Sequence, residues 1–503
     1  MAEEVISEAE ERFERIRKTF GLIAGPIILL TLILLPMPGL RPEAHRLAAV
    51  LGFVITWWVC EPVPLPVTAL LGPALCIILG AAGAKELLAS FGDPIIFVFL
   101  GSFILAQSMT VHGLDRRIAL TILGTRFVGN STPRLIFAFG AVAAFLSMWL
   151  SNTATTAMLL PVASGILGEV AGLESKRLGH TVDPRRLRLA TGLMLMLAYS
   201  ASVGGIGTPI GTPPNLIGIG MIERLTGTRI SFTRWMSFAV PMVLVMYLVL
   251  YVIIMWMHKP EVRRMDGLSD YLLDRKRSLG SWTRGQVNTL VCFSVAILLW
   301  ITPAVLVGLF GDKSWQMELY SRRMPEGVAA LIGAGLLFVL PVNWQRREFT
   351  LRWREATEID WGTIFLFGAG IALGDLASRT GLAHTVGHAF VQGTGVTDIN
   401  GITFLAVVVG IVVSEATSNT AAASIVIPVV IAVCKQAGID PVGPAIGACI
   451  GASYGFMLPV STAPNALVYG TGMVPITKMA KTGFLFDIVG AVIIWGGVRL
   501  LIG

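Results

Sequence analysis

Charge is the first thing this sequence is short of. Only 14% of its 503 residues are Asp, Glu, Lys or Arg, whereas 54% are hydrophobic, and the mean hydropathy is +0.75. A water-soluble domain carries about a quarter of its residues as charges, so a soluble globular chain is excluded. Cysteine is scarce as well. Cys60, Cys76, Cys292, Cys434 and Cys449 stand singly in or beside apolar stretches, which argues against a disulfide framework or a thiolate metal site and leaves buried small hydrophobes. No Gly-x-x-x-x-Gly-Lys-Ser/Thr phosphate loop occurs, which argues against ATP-driven pumping on this chain. His384 and His388 have the spacing of two zinc ligands on one helix face, but Thr385 follows His384 where the His-Glu-x-x-His pattern needs Glu. The start of the chain lacks the short positive stretch and small-residue cleavage site of a signal peptide, so the first apolar run is expected to be retained.

What is present in quantity is long apolar runs. Phe20 to Pro36, Pro241 to Met257 and Gln286 to Ile301 each approach the roughly 17 to 25 residues that cross a bilayer as helix. The expected fold class is therefore an all-α polytopic membrane protein. A net charge of +7 does not point to nucleic acid, because the basic residues are spread between spans rather than gathered in one tract. With the N-terminus inside, 26 of the 38 Lys and Arg fall in inside segments, and the positive-inside rule favours that orientation.

Residues 1–19 read as a charged cytoplasmic segment and 20–36 as the first span, followed by spans near 45–60, 64–81 and 94–111. The stretch 135–167 is apolar except around Ser147 to Thr156, so it reads as a re-entrant hairpin turning at Ser151-Asn152-Thr153. Non-helical backbone at that depth needs cover from protein or a water-filled cavity. In 187–221 the residues Gly204, Gly205, Gly207, Pro209, Gly211, Pro213 and Pro214 crowd together, and a continuous helix should break there into two half-helices. A span near 237–257 and a basic linker, 258–285, end the first half.

The second half, 286–503, repeats the first, which occupies 37–257. Ser418-Asn419-Thr420 answers Ser151-Asn152-Thr153 at a separation of 267 residues, inside a second expected hairpin at 402–433. Ser461-Thr462-Ala463-Pro464-Asn465 answers Gly211-Thr212-Pro213-Pro214-Asn215 at a separation of 250, inside a second expected broken helix at 441–472. An odd number of spans lies between equivalent elements, so the repeats are inverted in the membrane. Inverted repeats with interrupted segments in matching positions point to a secondary-transporter site at the midplane.

Each Ser-Asn-Thr supplies hydroxyls, a carboxamide and free backbone N–H groups at a helix start, and two such turns facing each other make an anion cradle. The four motifs contain no Lys or Arg. A divalent anion held there needs monovalent cations beside it, and exposed carbonyls with Ser, Thr and Asn oxygens make a hard-oxygen shell for them. The expected Na+ contacts are Ser147, Ser151, Asn152 and the Gly211 carbonyl in the first half. Ser414, Thr417, Asn419 and the Ser461 carbonyl are their counterparts in the second.

The paired Ser-Asn-Thr hairpins and Thr-Pro-Pro-Asn-like breaks resemble the divalent anion/sodium symporter family over about residues 20–503. That resemblance implies about eleven transmembrane helices plus two re-entrant hairpins, a homodimer, and an elevator mechanism in which a transport domain moves against a scaffold domain. It also implies substrate contacts at Ser151, Asn152, Thr153, Thr212, Ser418, Asn419, Thr420 and Thr462, with two or more co-transported Na+. Ala463 departs from the family's pattern, standing where the first proline of the second break usually stands. The expected function is Na+-coupled symport of a C4-dicarboxylate such as succinate, malate or fumarate in the cytoplasmic (inner) membrane. A sodium-independent dicarboxylate exchanger, or a sulfate or citrate carrier, is the alternative. No catalytic residues are expected, since the motifs hold neutral side chains without a histidine partner.

Other polar residues have plainer readings. Glu415 is expected to brace the second hairpin, with orienting a cation shell or taking a proton as its alternatives. Asp375, near a span end, is expected to meet water. Glu61 marks a proline-rich bend between spans, and His112 a solvated connector. Gly447-x-x-x-Gly451 reads as close packing within one protomer.

Overall fold

The computed structural model describes residues 8–265, 267–311 and 313–502. The first seven residues of the expected N-terminal segment lie outside that range. Nine helices among the described residues are long and apolar enough to cross a membrane, and the protein is a multi-pass integral membrane protein. Shorter apolar helices accompany them at Leu65–Ile78, Thr132–Ser147, Glu326–Leu336 and Val442–Gly451.

From Glu8 onward the charged segment is continuous with the first span. Glu8–Leu34 runs as one helix, because no Gly or Pro interrupts residues 8–20 and Glu14 pairs along the axis with Arg17 at 2.9 Å and Lys18 at 3.2 Å. Its far half leaves Leu22, Ile23, Ile27, Leu30 and Leu34 exposed, the surface expected of a helix lying against lipid. The chain is also not purely helical. Pro341–Asn343 pairs antiparallel with Glu348–Phe349, and Asn288 Nδ2 ties this small hairpin to a neighbouring helix through Pro341 O and Thr350 Oγ1.

Four interruptions organise the interior. The helix Thr132–Ser147 stops, four residues intervene, and Asn152–Leu178 begins. Ile399–Ala416 and Asn419–Ala437 are separated by only Thr417 and Ser418. Arg188–Gly205 breaks before Pro213–Thr226, and Val442–Gly451 breaks before Ala463–Gly470. Apart from its first residue, Arg188–Gly205 is buried on every side, which is what an all-round apolar helix in the middle of a large membrane protein should be. Its one phenol is satisfied, since Tyr199 donates to Phe456 O at 2.7 Å.

Glycine matters most where two backbones meet. A Cβ at Gly204 would fall 2.1 Å from Ala144 O, and one at Gly451 would fall 2.6 Å from Val407 O, so each helix start or end packs directly on its neighbour's main chain. Gly447 and Gly451 thus serve packing inside one chain. The five cysteines are buried and free.

Two polar residues depart from their sequence reading. Asp375 is only 18% exposed at its side chain and sits inside a run of ion pairs instead of facing bulk water. Arg379 joins it at 2.6 Å and Arg224 at 3.3 Å, and those arginines reach Glu86 and Asp93 in turn. His112 is tied down as well: its Nε2 lies 2.6 Å from Thr350 O, and its ring fills the space that a side chain at position 285 would need. Neither arrangement shows in the local sequence, because every partner except Arg379 comes from a distant segment.

Candidate functional site

The helix starts at Asn152, Pro213, Asn419 and Ala463 all border one cavity of about 720 Å³. Each start has donors left over by the first helical turn and the positive end of a macrodipole, so four of them around one space favour an anion. The cavity is lined by Ser151, Asn152, Thr153, Gly211, Thr212, Ser418, Asn419, Thr420, Ser461 and Thr462. Among the described residues its lining has no Lys or Arg.

Local chemistry shapes the four starts in pairs. Ser151 Oγ caps its helix by accepting from Ala154 N at 3.1 Å, and Ser418 Oγ does the same for Ala421 N at 3.3 Å. Such caps satisfy one orphan donor and leave the neighbouring N–H groups directed outward. Behind each cap, a serine five residues before the asparagine holds its carboxamide. Ser147 Oγ donates to Asn152 Oδ1 at 2.6 Å, and Ser414 Oγ donates to Asn419 Oδ1 at 2.8 Å. Ser147 and Ser414 are themselves fully buried and stand behind the cavity wall.

The broken helices carry a second matched device. Asn215 Nδ2 donates back to the carbonyls of Gly205 (2.9 Å), Ile206 (3.3 Å) and Thr208 (2.7 Å). Asn465 Nδ2 donates to Gly455 O at 3.4 Å and Leu458 O at 3.1 Å. A side chain on the new helix thereby supplies donors to carbonyls at the break, where the helical ladder no longer does.

Oxygen is dense beside the first turn. A Cβ at Gly205 would lie 2.3 Å from Asn152 Oδ1, and one at Gly211 would lie 2.5 Å from Gly205 O and 2.9 Å from Ser147 O. Only glycine lets these main-chain and carboxamide oxygens approach so closely. In the second half, Gly455 lies against Ser414 and Ser461 in the same way.

The halves differ in how they hold their breaks. Glu415 accepts from Phe456 N at 2.5 Å and Met457 N at 2.8 Å with one oxygen, and from Ser461 Oγ at 2.5 Å with the other. Its position in the first half is Met148, whose carbonyl accepts from Thr208 Oγ1 at 2.5 Å. Thr417 also breaks symmetry. Its buried hydroxyl donates to Trp58 O at 3.0 Å, so it ties the second turn to the helix Pro42–Cys60 and does not line the cavity.

Several lining residues were not anticipated. Phe103, Ala106, Gln107 and Thr110 follow a three- and four-residue spacing on one face of Pro94–His112, a pattern the sequence does contain. Glu61, Glu358 and Asp360 also reach the cavity. Glu61 sits at a left-handed φ of 48° that ends its helix. Burial pushes its carboxyl up from the usual range, and Arg17, 3.6 Å away, opposes that rise.

A polar cavity bordered by paired helix starts inside a multi-pass membrane protein is the site of a transporter, and the comparisons with known proteins give it a family. The family model described as the sodium:sulfate symporter transmembrane region matches residues 17–500. A Staphylococcus saprophyticus protein, the sodium-dependent dicarboxylate transporter SdcS, is 32% identical over 491 residues, covering 97% of this chain and 92% of that one. Its namesake from Staphylococcus aureus is 32% identical over 478 residues, 94% of this chain and 89% of the other. Among solved structures, the Alcanivorax borkumensis YdaH transporter superposes with a TM-score of 0.52 at 11% identity over 97% of this chain and 98% of that chain. MtrF of Neisseria gonorrhoeae gives 0.50 at 13% identity over 97% and 94%. These two structures share the fold alone. The chain belongs to the divalent anion/sodium symporter family, and it is a transporter, not an enzyme.

Proposed function

We propose that this protein couples the inward movement of Na+ to the uptake of a C4-dicarboxylate such as succinate, malate or fumarate. The observation that carries the reading is the pairing of four helix starts with a lining free of Lys and Arg among the described residues. Helix ends contribute partial charges only, and a dianion taken from water demands more compensation than they supply. Two Na+, one beside each Ser-Asn pair, supply it. The first shell draws on Ser147, Ser151, Asn152 and Gly211, and the second on Ser414, Asn419 and Ser461, with Thr417 contributing through its main chain because its hydroxyl is engaged elsewhere. Substrate contacts fall to Ser151, Asn152, Thr153, Thr212, Ser418, Asn419, Thr420 and Thr462.

The names of the relatives, sodium-dependent dicarboxylate transporters, support both halves of this reading. Coupling follows from the shared asparagines: each carboxamide serves anion and cation, so neither binds well without the other. Alternating access proceeds by an elevator movement of the hairpins and broken helices within a homodimer of the inner membrane, the N-terminus being cytoplasmic and the hairpins re-entering about eleven spans.

Uptake of labelled succinate into proteoliposomes, with and without an inward Na+ gradient, tests the reading. Uptake that accumulates substrate only with the gradient is the expected result. Uptake indifferent to Na+ but dependent on internal dicarboxylate overturns symport in favour of exchange.

A further inference from the structure

A second cavity, of about 650 Å³, lies where Phe232–Met257 begins and Arg284–Phe310 ends, and it shares no lining residue with the transport cavity. Arg229, Thr233 and Arg234 line it around the start of the first helix, Ala304 from the second, and Ser321 from the short helix Trp315–Arg323. Bonds between separate segments fix its walls. Tyr320 Oη donates to Leu299 O at 2.7 Å, Trp300 Nε1 donates to Glu326 O at 3.1 Å, and Glu326 Oε1 accepts from Phe232 N at 2.9 Å.

The lining carries two guanidinium groups against the single carboxylate of Glu326. Neither Arg229 nor Arg234 closes a salt bridge among the described residues. The last turn of Trp315–Arg323 adds Arg322 and Arg323, both exposed. In the orientation proposed above this is the outer face, which the positive-inside rule leaves poor in cations, so topology does not account for the cluster. Like charges gathered at one cavity repel each other, and an anion among them removes that cost.

The surroundings are apolar. Leu244 and Leu248 on the first helix and Leu298 and Val305 on the second are each more than half exposed, and so are Phe310 and Trp315 beside the short helix. Long spans showing such residues outward face acyl chains, and an exposed tryptophan at the end of a span marks the membrane boundary. An occupant matched to both features has an anionic group at one end and hydrocarbon at the other.

We propose that this cavity binds the phosphate group of an anionic phospholipid. Arg229 and Arg234 bond the phosphate oxygens, the Thr233 and Ser321 hydroxyls add donors, and the acyl chains run along the exposed faces of the two spans. The headgroup then sits one residue from Trp235, whose Nε1 donates to Ile206 O at 2.9 Å in the first broken helix. Lipid binding here is independent of the Na+-coupled reading and of the residues assigned to it.

The test is native mass spectrometry of the full chain, purified and delipidated in detergent, titrated with phosphatidylglycerol or with phosphatidylcholine of the same chains. Phosphatidylglycerol should bind about tenfold more tightly, and the double variant Arg229→Gln/Arg234→Gln should lose most of that preference. Ala304→Trp fills the cavity without removing a charge and should lose it too, which keeps the test decisive where the double variant does not fold. Arg322→Gln/Arg323→Gln, outside the lining, should stay within about twofold of the parent. Unchanged binding in the first two variants, or an equal loss in the third, overturns the proposal in favour of diffuse surface charge. Displacement of the lipid by an equal concentration of inorganic phosphate overturns it in favour of a free-anion site. An Ala304→Trp variant that separates copies of the chain while keeping its lipid overturns it in favour of an interface between copies.

Discussion

Ser147 holds the carboxamide of Asn152 through a 2.6 Å hydrogen bond, and the bond recurs 267 residues later between Ser414 and Asn419 at 2.8 Å. In both turns the serine occupies the last turn of one helix and the asparagine the first residue of the next. The bond therefore spans the break and fixes which way each amide points. Removing the hydroxyl frees the amide without emptying the turn. Ser147→Ala and Ser414→Ala are each expected to raise the Na+ concentration for half-maximal uptake about three- to tenfold, the value of one hydrogen bond. Na+ titration of uptake at fixed substrate checks this, with thermal melting of the purified protein as the control.

Removing the amide itself goes further. Asn152→Ala and Asn419→Ala delete a contact assigned to both anion and cation, and each should abolish accumulation of succinate. Both side chains border the cavity, so truncation leaves little void in the packed interior and the purified variants should keep the parent's melting temperature within a few degrees. Normal uptake by either variant would show that the turns are misassigned.

Asn215 acts on structure first. Its Nδ2 satisfies three main-chain carbonyls of the broken helix and is fully buried. Asn215→Ala takes the side-chain donor from Gly205 O, while Ile206 O keeps the Trp235 indole N–H and Thr208 O the Gly211 N–H, at about 1–3 kcal/mol for a buried unsatisfied group. The expected outcome is a clear fall in melting temperature together with lost uptake, in contrast to Asn152→Ala, where only uptake is lost. Differential scanning in detergent separates the two.

Ala463 occupies the first residue of its helix, after the Thr462 cap. Proline suits that position, because its fixed φ matches the helix and no N–H partner is lost. Ala463→Pro should fold with stability equal to the parent or a few tenths of a kcal/mol higher. Ala463 lines the cavity, so the substitution changes its width. Competition of unlabelled succinate, citrate and sulfate against labelled succinate should rank differently in the variant; an unchanged ranking removes Ala463 from the determinants of specificity.

His258 supplies a pH dependence outside the site. It is 4% exposed and its Nε2 lies 2.8 Å from Thr482 Oγ1. Burial, with help from Lys478, pushes its pKa down to about 4. The native state thus holds it neutral while the unfolded chain takes up a proton near pH 6.5, so its contribution is fully present above that pH and is lost as pH falls toward 4. The loss amounts to about 1.4 kcal/mol for each pH unit within that window. Melting temperatures measured from pH 7 to pH 5 should fall in the parent, and His258→Gln should remove part of that slope.

The helix breaks were legible because they are local chemistry. Serine before asparagine caps a helix through its own side chain, and glycine and proline crowded into 204–214 cannot continue one. The long apolar runs were legible for the same reason, since a bilayer demands length and composition from each span separately. Phe103, Gln107 and Thr110 were readable in principle from their spacing, but a few polar positions on an apolar helix do not announce what they face. Asp375 was misread because Arg224, 151 residues away, supplies one of its charges. His112 was misread because Thr350 lies 238 residues off. Such contacts have no local signature.

By itself the sequence determined the membrane class, the repeat and the two Ser-Asn turns, each of which depends on residues within a few positions of one another. Tertiary structure alone decided what surrounds those turns. It set Glu415 on the Phe456–Ser461 main chain and turned the Thr417 hydroxyl away to Trp58. The reason is physical: capping and hydrophobic length act along the chain, whereas the partner of a buried polar atom is whichever group the packing of distant helices delivers to it.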